Sequence, residues 1–289
     1  MKKALLFTAV LSLLLPAGAF AQQQLKLPRP SPKASVQQTV GLTEVTINYC
    51  RPGVKGRTIW GDLVPYDKVW RTGANEATTI QFSQDVKVNG KPLPAGLYSV
   101  HTIPSKSAWT VILNKKAEQW GSYEYDDKQD ALRIQVQPAA GPQQELMEFS
   151  FPEVSPEGAT VELAWEKVRV PFKIEVATKE QAMANIRQSL SGLTGKPEEW
   201  NVPYGAANYA FTNNLDNRDE AMKWIDQSVG LKETFWNLRL KATMLEKAGK
   251  KKEAVTVAEK AVQIGKANED EPSEIAKTEK QIAEWKKAS

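Results

Sequence analysis

Apolar residues recur at every second position through residues 34–176 and at every third or fourth position after Thr178. That change of period constrains the fold more than any motif, because alternation builds half-buried strands and the longer period builds amphipathic helices. It predicts an α+β chain of two segregated domains. Residues 34–177 are expected to form an all-β sandwich of jelly-roll or immunoglobulin-like kind, and residues 178–289 a set of α-helical hairpin repeats. With 289 residues, each half is long enough to bury a core of its own.

Within the β half, strands are expected at 34–40, 44–49, 78–82, 85–88, 96–103, 109–113, 131–136, 145–151, 160–165 and 168–176. Asn89-Gly90 has the composition of a two-residue hairpin turn, whose central residues both need positive φ. Pro94-Ala95-Gly96 reads as a second turn, and Glu166-Lys167 as a tight turn between the last two strands. In the helical half, Thr178 with Gln181 has the form of a capping box, and Asn217 with Glu220 a second cap. Helices are expected at 204–212, 218–229, 234–248, 251–264 and 274–286, with Gly249 and Gly265 where helices stop. Residues 219–225 and 252–258 align at a spacing of 33, close to the ~34-residue tetratricopeptide period. Ala242, Ala254 and Ala261 would let paired helices approach closely.

The chain begins as an export signal does. Lys2-Lys3 precedes an apolar run to Leu15, and Ala19-Phe20-Ala21 is an A-x-A cleavage pattern. The apolar run spans about 12 residues, short of the ~20 needed to cross a bilayer. Residues 1–21 are therefore expected to be removed after Ala21, giving a periplasmic or secreted protein without a transmembrane segment. Residues 22–33, with three prolines, read as an extended lead-in. Removal of Lys2 and Lys3 lowers the formal charge from +4 to +2, too little for a nucleic-acid partner. One Cys and one His exclude a disulfide framework and a zinc site of the usual kind within one chain, and no metal or cofactor is expected. Cys50 alternates with Val45, Ile47 and Tyr49 and falls on the opposite face, where it is expected to be buried.

Residues 51–78 form a long connection between strands, and connections of that length usually carry a function or a special packing. Arg51, Arg57 and Arg71, with Trp60, Trp70, Asn75 and Glu76, fall within 26 residues, together with Lys55. Arg and Trp can grip a carboxylate or phosphate and stack a planar or sugar-like ligand. Arg51, Lys55, Arg57, Trp70, Arg71, Asn75 and Glu76 are accordingly the candidate ligand-binding residues; no catalytic residue is assigned. An equally physical alternative is that Arg–Glu pairs and Trp lids close the open end of the sandwich. In that case Arg71 and Glu76 should pair inside the domain beside Trp70.

These residues carry a family resemblance. Arg51-Pro52, Lys55-Gly56-Arg57, Leu63-Val64-Pro65-Tyr66 and the run from Val69 to Thr78 resemble the DUF2911 family of uncharacterised secreted bacterial proteins. Ala95-Gly96 with Tyr98, Thr102-Ile103-Pro104, Trp109 to Ile112 and Gln119-Trp120-Gly121 with Tyr123 extend the resemblance, which covers roughly residues 31–176. It implies a secreted β-rich domain and brings no established activity, catalytic residue or cofactor.

His101 is the one imidazole available as a base, yet no G-x-S-x-G or other nucleophile motif accompanies it, and a surface or interstrand position is expected. Glu124, Asp126, Asp127 and Asp130 lack calcium-loop spacing and read as a solvated loop. Three functions remain open. The first is a non-catalytic module binding a small ligand or an envelope protein, with the helices as an interaction domain. The second is a structural envelope component. The third is a hydrolase or carbohydrate-active enzyme using a carboxylate such as Glu76, although nearby arginines would depress its pKa and spoil it as an acid.

Overall fold

A computed structural model describes residues 27–215 and 217–287. The expected export signal lies outside the described residues.

Among the described residues, ten strands precede six α-helices, and the boundary falls at the change of period. β1 (Lys33–Val40), β2 (Thr43–Cys50), β3 (Thr78–Phe82), β6 (Gly96–Ile103), β7 (Trp109–Asn114) and β8 (Asp130–Val136) form a six-stranded sheet in the order β1-β2-β3-β6-β7-β8. β4 (Val86–Val88), β5 (Lys91–Leu93), β9 (Ala139–Ser155) and β10 (Gly158–Val176) form a four-stranded sheet in the order β5-β4-β10-β9. Every strand pairing is antiparallel. The inner faces share one core. Val45 and Ile47 of β2 and Ile80 and Phe82 of β3 meet Leu163, Phe172 and Ile174 of β10, all at most 3% exposed. This is the sandwich that the alternation predicts.

Two turns separate expectation from structure. Asn89 (φ 46°) and Gly90 (φ 77°) make the expected tight hairpin between β4 and β5, a short strand the sequence reading passed over. Glu166 instead lies inside one continuous 19-residue strand, β10, where its φ of 53° marks a bulge and the register against β9 shifts. A bulge bends a strand without ending it, so the apolar alternation resumes in altered phase and mimics a turn.

The helices are α1 (Thr178–Ser191), α2 (Asn201–Thr212), α3 (Arg218–Leu231), α4 (Phe235–Lys247), α5 (Lys251–Ala267) and α6 (Pro272–Lys287). α2 packs on α3 and α4 on α5 as successive hairpins, with α6 laid against α5. Ala242, Ala254, Ala258 and Ala261 are at most 1% exposed, as close helix packing requires. Gly249 (φ 80°) follows α4 as expected, but Gly265 does not stop a helix: it lies inside α5. A Cβ there would come within 3.0 Å of Phe235 and 3.2 Å of Ile275, so the glycine serves close packing. The capping box at Thr178 does not form. Ala177 precedes the helix, the Thr178 hydroxyl donates to the Pro156 carbonyl, and the Gln181 amide donates to Thr43 Oγ1 at 3.2 Å. Those side chains tie α1 to the sandwich instead of capping it. The helical core clusters contain no residue of the sandwich core. Among the described residues, no helix is long and apolar enough to cross a membrane.

Candidate functional site

The long connection between β2 and β3 runs along β9, plugs the end of the core and finishes beside the outer face of the six-stranded sheet. Arg51 donates to the Met147 carbonyl (2.8 Å) and to Glu148 (2.9 Å), and the backbone N–H of Lys55 donates to Glu145 (2.9 Å), so this stretch runs along β9. Arg57 donates to the carbonyls of Gly53 and Val54 at 2.5 and 3.1 Å, holding its own turn. Trp60 and Trp70 then enter the end of the sandwich beside Trp109 of β7 and Trp165 of β10. Ring centroids lie 4.9 Å apart for Trp60–Trp109 and 5.8 Å for the stacked Trp70–Trp165 pair. The Trp70 indole N–H donates to the Gly73 carbonyl at 3.1 Å. The tryptophans of the connection therefore plug the core.

At Trp70 the chain bridges Thr102, taking over the ladder beyond the point where Thr78 of β3 opposes Val100. The intervening residues bulge away from the core, with positive φ at Thr72 (53°) and Asn75 (59°). Glu76 is thereby turned to the outer face of the six-stranded sheet, where its backbone bridges Trp120. The expected pair with Arg71 does not form. Arg29 donates from Nη1 to both Glu76 oxygens at 2.8 Å, and Lys33 Nζ lies 3.1 Å away. Arg71 makes no ion pair among the described residues, and its Nε is buried without a hydrogen-bond partner. Only four residues separate Arg71 from Glu76, but the looped backbone sends them apart, and the partner cations come from the lead-in.

Around Glu76 the outer face holds an open cleft of about 690 Å³. Lys33 and Ser35 of β1, Asn48 and Cys50 of β2, Thr79 of β3 and the 117–119 segment line it. The alternation that sends Val45, Ile47 and Tyr49 into the core places Asn48 and Cys50 here. Cys50 is 2% exposed, as expected, and its thiol donates to Glu76 Oε2 at 3.5 Å. The Arg29 hydrogen bond, then one from the Glu76 backbone N–H and then Lys33, hold the Glu76 carboxyl down at about 2 against the opposing effect of burial. Burial pushes the Cys50 thiol up, with Asn75 opposing and Glu76 reinforcing the shift. Glu76 is therefore a fixed anion at neutral pH and Cys50 a protonated thiol. Neither a general acid nor an activated nucleophile is poised here.

Of the seven sequence candidates, Glu76 lines this cleft, and Asn75 next to it donates from Nδ2 to the Ser31 carbonyl at 3.4 Å. Arg51, Lys55 and Arg57 lie along the β9 side, Trp70 is in the core, and Arg71 stands apart. Sequence reasoning missed Arg29 and Lys33, because a proline-rich lead-in has no periodicity to place it.

The segment following β7 covers the rest of the outer face. Ser99 of β6 donates to the Lys116 carbonyl, as does the Gln119 amide, both at 2.9 Å. The N–H of Ala77 donates to the Gln119 carbonyl and that of Gly121 to the Asn75 carbonyl, each at 3.0 Å. Trp120, beside Glu76, is left 56% exposed and Tyr123 86%. Beneath this cover His101 is fully buried, its ring 5.0 Å from that of Tyr125. Asp130, expected in a solvated loop, accepts from Asn114 and Tyr125 at 2.8 Å each. Burial lowers the His101 pKa to about 4, while Asp130 and the Gly121 carbonyl pull the other way. Among the described residues, no cluster of His, Cys, Asp and Glu could hold a metal ion.

No curated protein matches the chain, and no solved structure does. Residues 31–174, nearly the whole β half, match the model of the DUF2911 family, described as a protein of unknown function, in support of the resemblance carried by the sequence.

Proposed function

We propose that the chain is an exported, non-catalytic binding module of the cell envelope, processed after Ala21, with a small ligand or an envelope protein as its partner. The observation that carries this reading is the outer-face cleft. An ionised carboxylate, a lysine, an asparagine and small hydroxyl residues surround an open space of about 690 Å³ that the sandwich core does not need. A few convergent polar groups in a concave surface are what fix a ligand's orientation. Glu76, held at about 2, suits charge recognition better than proton transfer, which weighs against the hydrolase reading. Asn75 and Glu76 are the proposed ligand contacts, and Arg51, Arg57 and Trp70 hold the connection that presents them. The helical hairpins, read as tetratricopeptide-like, would supply a second surface. A groove of about 730 Å³ bordered by Phe211, Leu215, Met222 and Met244 lies among α2, α3 and α4.

Ser35 lies exposed on an edge strand, so Ser35→Trp obstructs the cleft without entering the core. Mature wild type and this variant are incubated with envelope extract, and retained proteins and small molecules are identified by mass spectrometry. The wild type should retain a species that the variant loses. Identical profiles would remove the cleft as the binding site and leave a structural role.

A further inference from the structure

The Glu76 carboxylate is already occupied, and its occupant is a peptide. Residues 27–32, Leu-Pro-Arg-Pro-Ser-Pro, run into β1 without regular structure and reach the site through one side chain, Arg29. Guanidinium Nη1 lies 2.8 Å from both Glu76 oxygens, a charge-assisted contact of arginine with a carboxylate. Around that bond, donors of the domain meet main-chain carbonyls of the segment. The Arg51 N–H donates to the Pro32 carbonyl at 2.9 Å, and the Asn75 amide to the Ser31 carbonyl at a long 3.4 Å. A side-chain anion with flanking carbonyl acceptors' partners is a means of reading an extended chain that bears an arginine.

The hold is light. Side-chain exposure is 44% for Arg29 and 37% for Glu76, and Leu27 before it is 69% exposed. Three prolines in the six residues restrict the free segment, so little freedom is lost when it docks. Trp120, bridged to Glu76 through the backbone, stands exposed as an aromatic surface beside the site.

We propose that the cleft recognises an arginine-bearing, extended polypeptide, and that residues 27–32 are a built-in competitor whose Arg29 holds the Glu76 position until such a segment displaces it. This rests on the cleft being the binding site. The strap in place reduces apparent affinity by the fraction of molecules in which Glu76 is free, so removing Arg29 strengthens binding.

The test uses full-length mature protein and the peptide Leu-Pro-Arg-Pro-Ser-Pro, titrated with backbone amide shifts of Cys50, Glu76 and Trp120 as the readout. Arg29→Ala should bind the peptide about tenfold or more tightly than wild type. The same peptide with citrulline in place of arginine, and the Arg29→Ala/Glu76→Gln double variant, should show no saturable shift. Free arginine should bind far more weakly than the peptide. No binding to a folded Arg29→Ala protein, or equal binding of the citrulline peptide, overturns the proposal. Free arginine binding as tightly as the peptide overturns its polypeptide part. If Ser35→Trp abolishes capture from envelope extract while the peptide never binds, the cleft survives as a site and this inference about its ligand fails.

Discussion

The two faces of the six-stranded sheet come from the same strands and do opposite work. Inward, Val45, Ile47, Ile80 and Val100 join an apolar core sealed at one end by four tryptophans. Outward, the alternate residues Asn48, Cys50, Thr79, Ser99 and His101 are small, polar or titratable, and lie against a strap and a loop. One residue of register separates the two sets, because side chains along a strand alternate strictly. The comparison teaches that stability in this domain is carried inward, by area and packing. The recognition we propose would be carried outward, by a few charges that the fold can spare.

The sharpest way to break that division is from the inside. Trp165 is 1% exposed and stacks on Trp70, so Trp165→Ala leaves a large cavity and should cost about 3–5 kcal/mol in urea unfolding. A loss below about 1 kcal/mol would mean that the tryptophans do not seal the core.

His101 tests the part of the outer face that is as buried as the inner. Its pKa is lowered by burial from 6.5 to about 4. The unfolded chain then takes up a proton that the folded chain refuses, so stability is full above pH ~6.5 and falls as pH drops toward 4. The loss should reach about 3 kcal/mol across that window. Asp130, Tyr125 and the Gly121 carbonyl face the imidazole, and Asp130 tempers the effect. In His101→Phe this fall in stability should largely disappear; an unchanged pH profile would assign it to other groups.

How much of this was legible in the sequence depends on whether a residue's role is local. Alternation and period place most of the strands, the Asn89-Gly90 hairpin and the buried side of Cys50, because each depends on neighbours two to four residues away. Glu166 reads as a turn because a bulge breaks the alternation as a turn does. Gly265 reads as a helix stop because the neighbours that require a glycine, Phe235 and Ile275, come from other helices. The Glu76 site was half legible. The motif placed Asn75 and Glu76, whereas Arg29 reaches Glu76 across 47 residues. Arg71, much nearer in sequence, is turned away by backbone with positive φ at Thr72 and Asn75.

Glu76→Gln should have the smallest effect on folding. It removes an exposed ion pair with Arg29, and such pairs contribute only about 0–1 kcal/mol. That small cost should be full above pH ~4.5, where the carboxyl is ionised even in the unfolded chain, and fade progressively as pH falls toward 2. The most direct test of the account is therefore capture from envelope extract by a Glu76→Gln protein whose urea midpoint has been measured alongside. The division between faces predicts a midpoint within about 1 kcal/mol of wild type and loss of the captured species. A protein that loses several kcal/mol and still captures its partner would make Glu76 part of the framework and contradict the account.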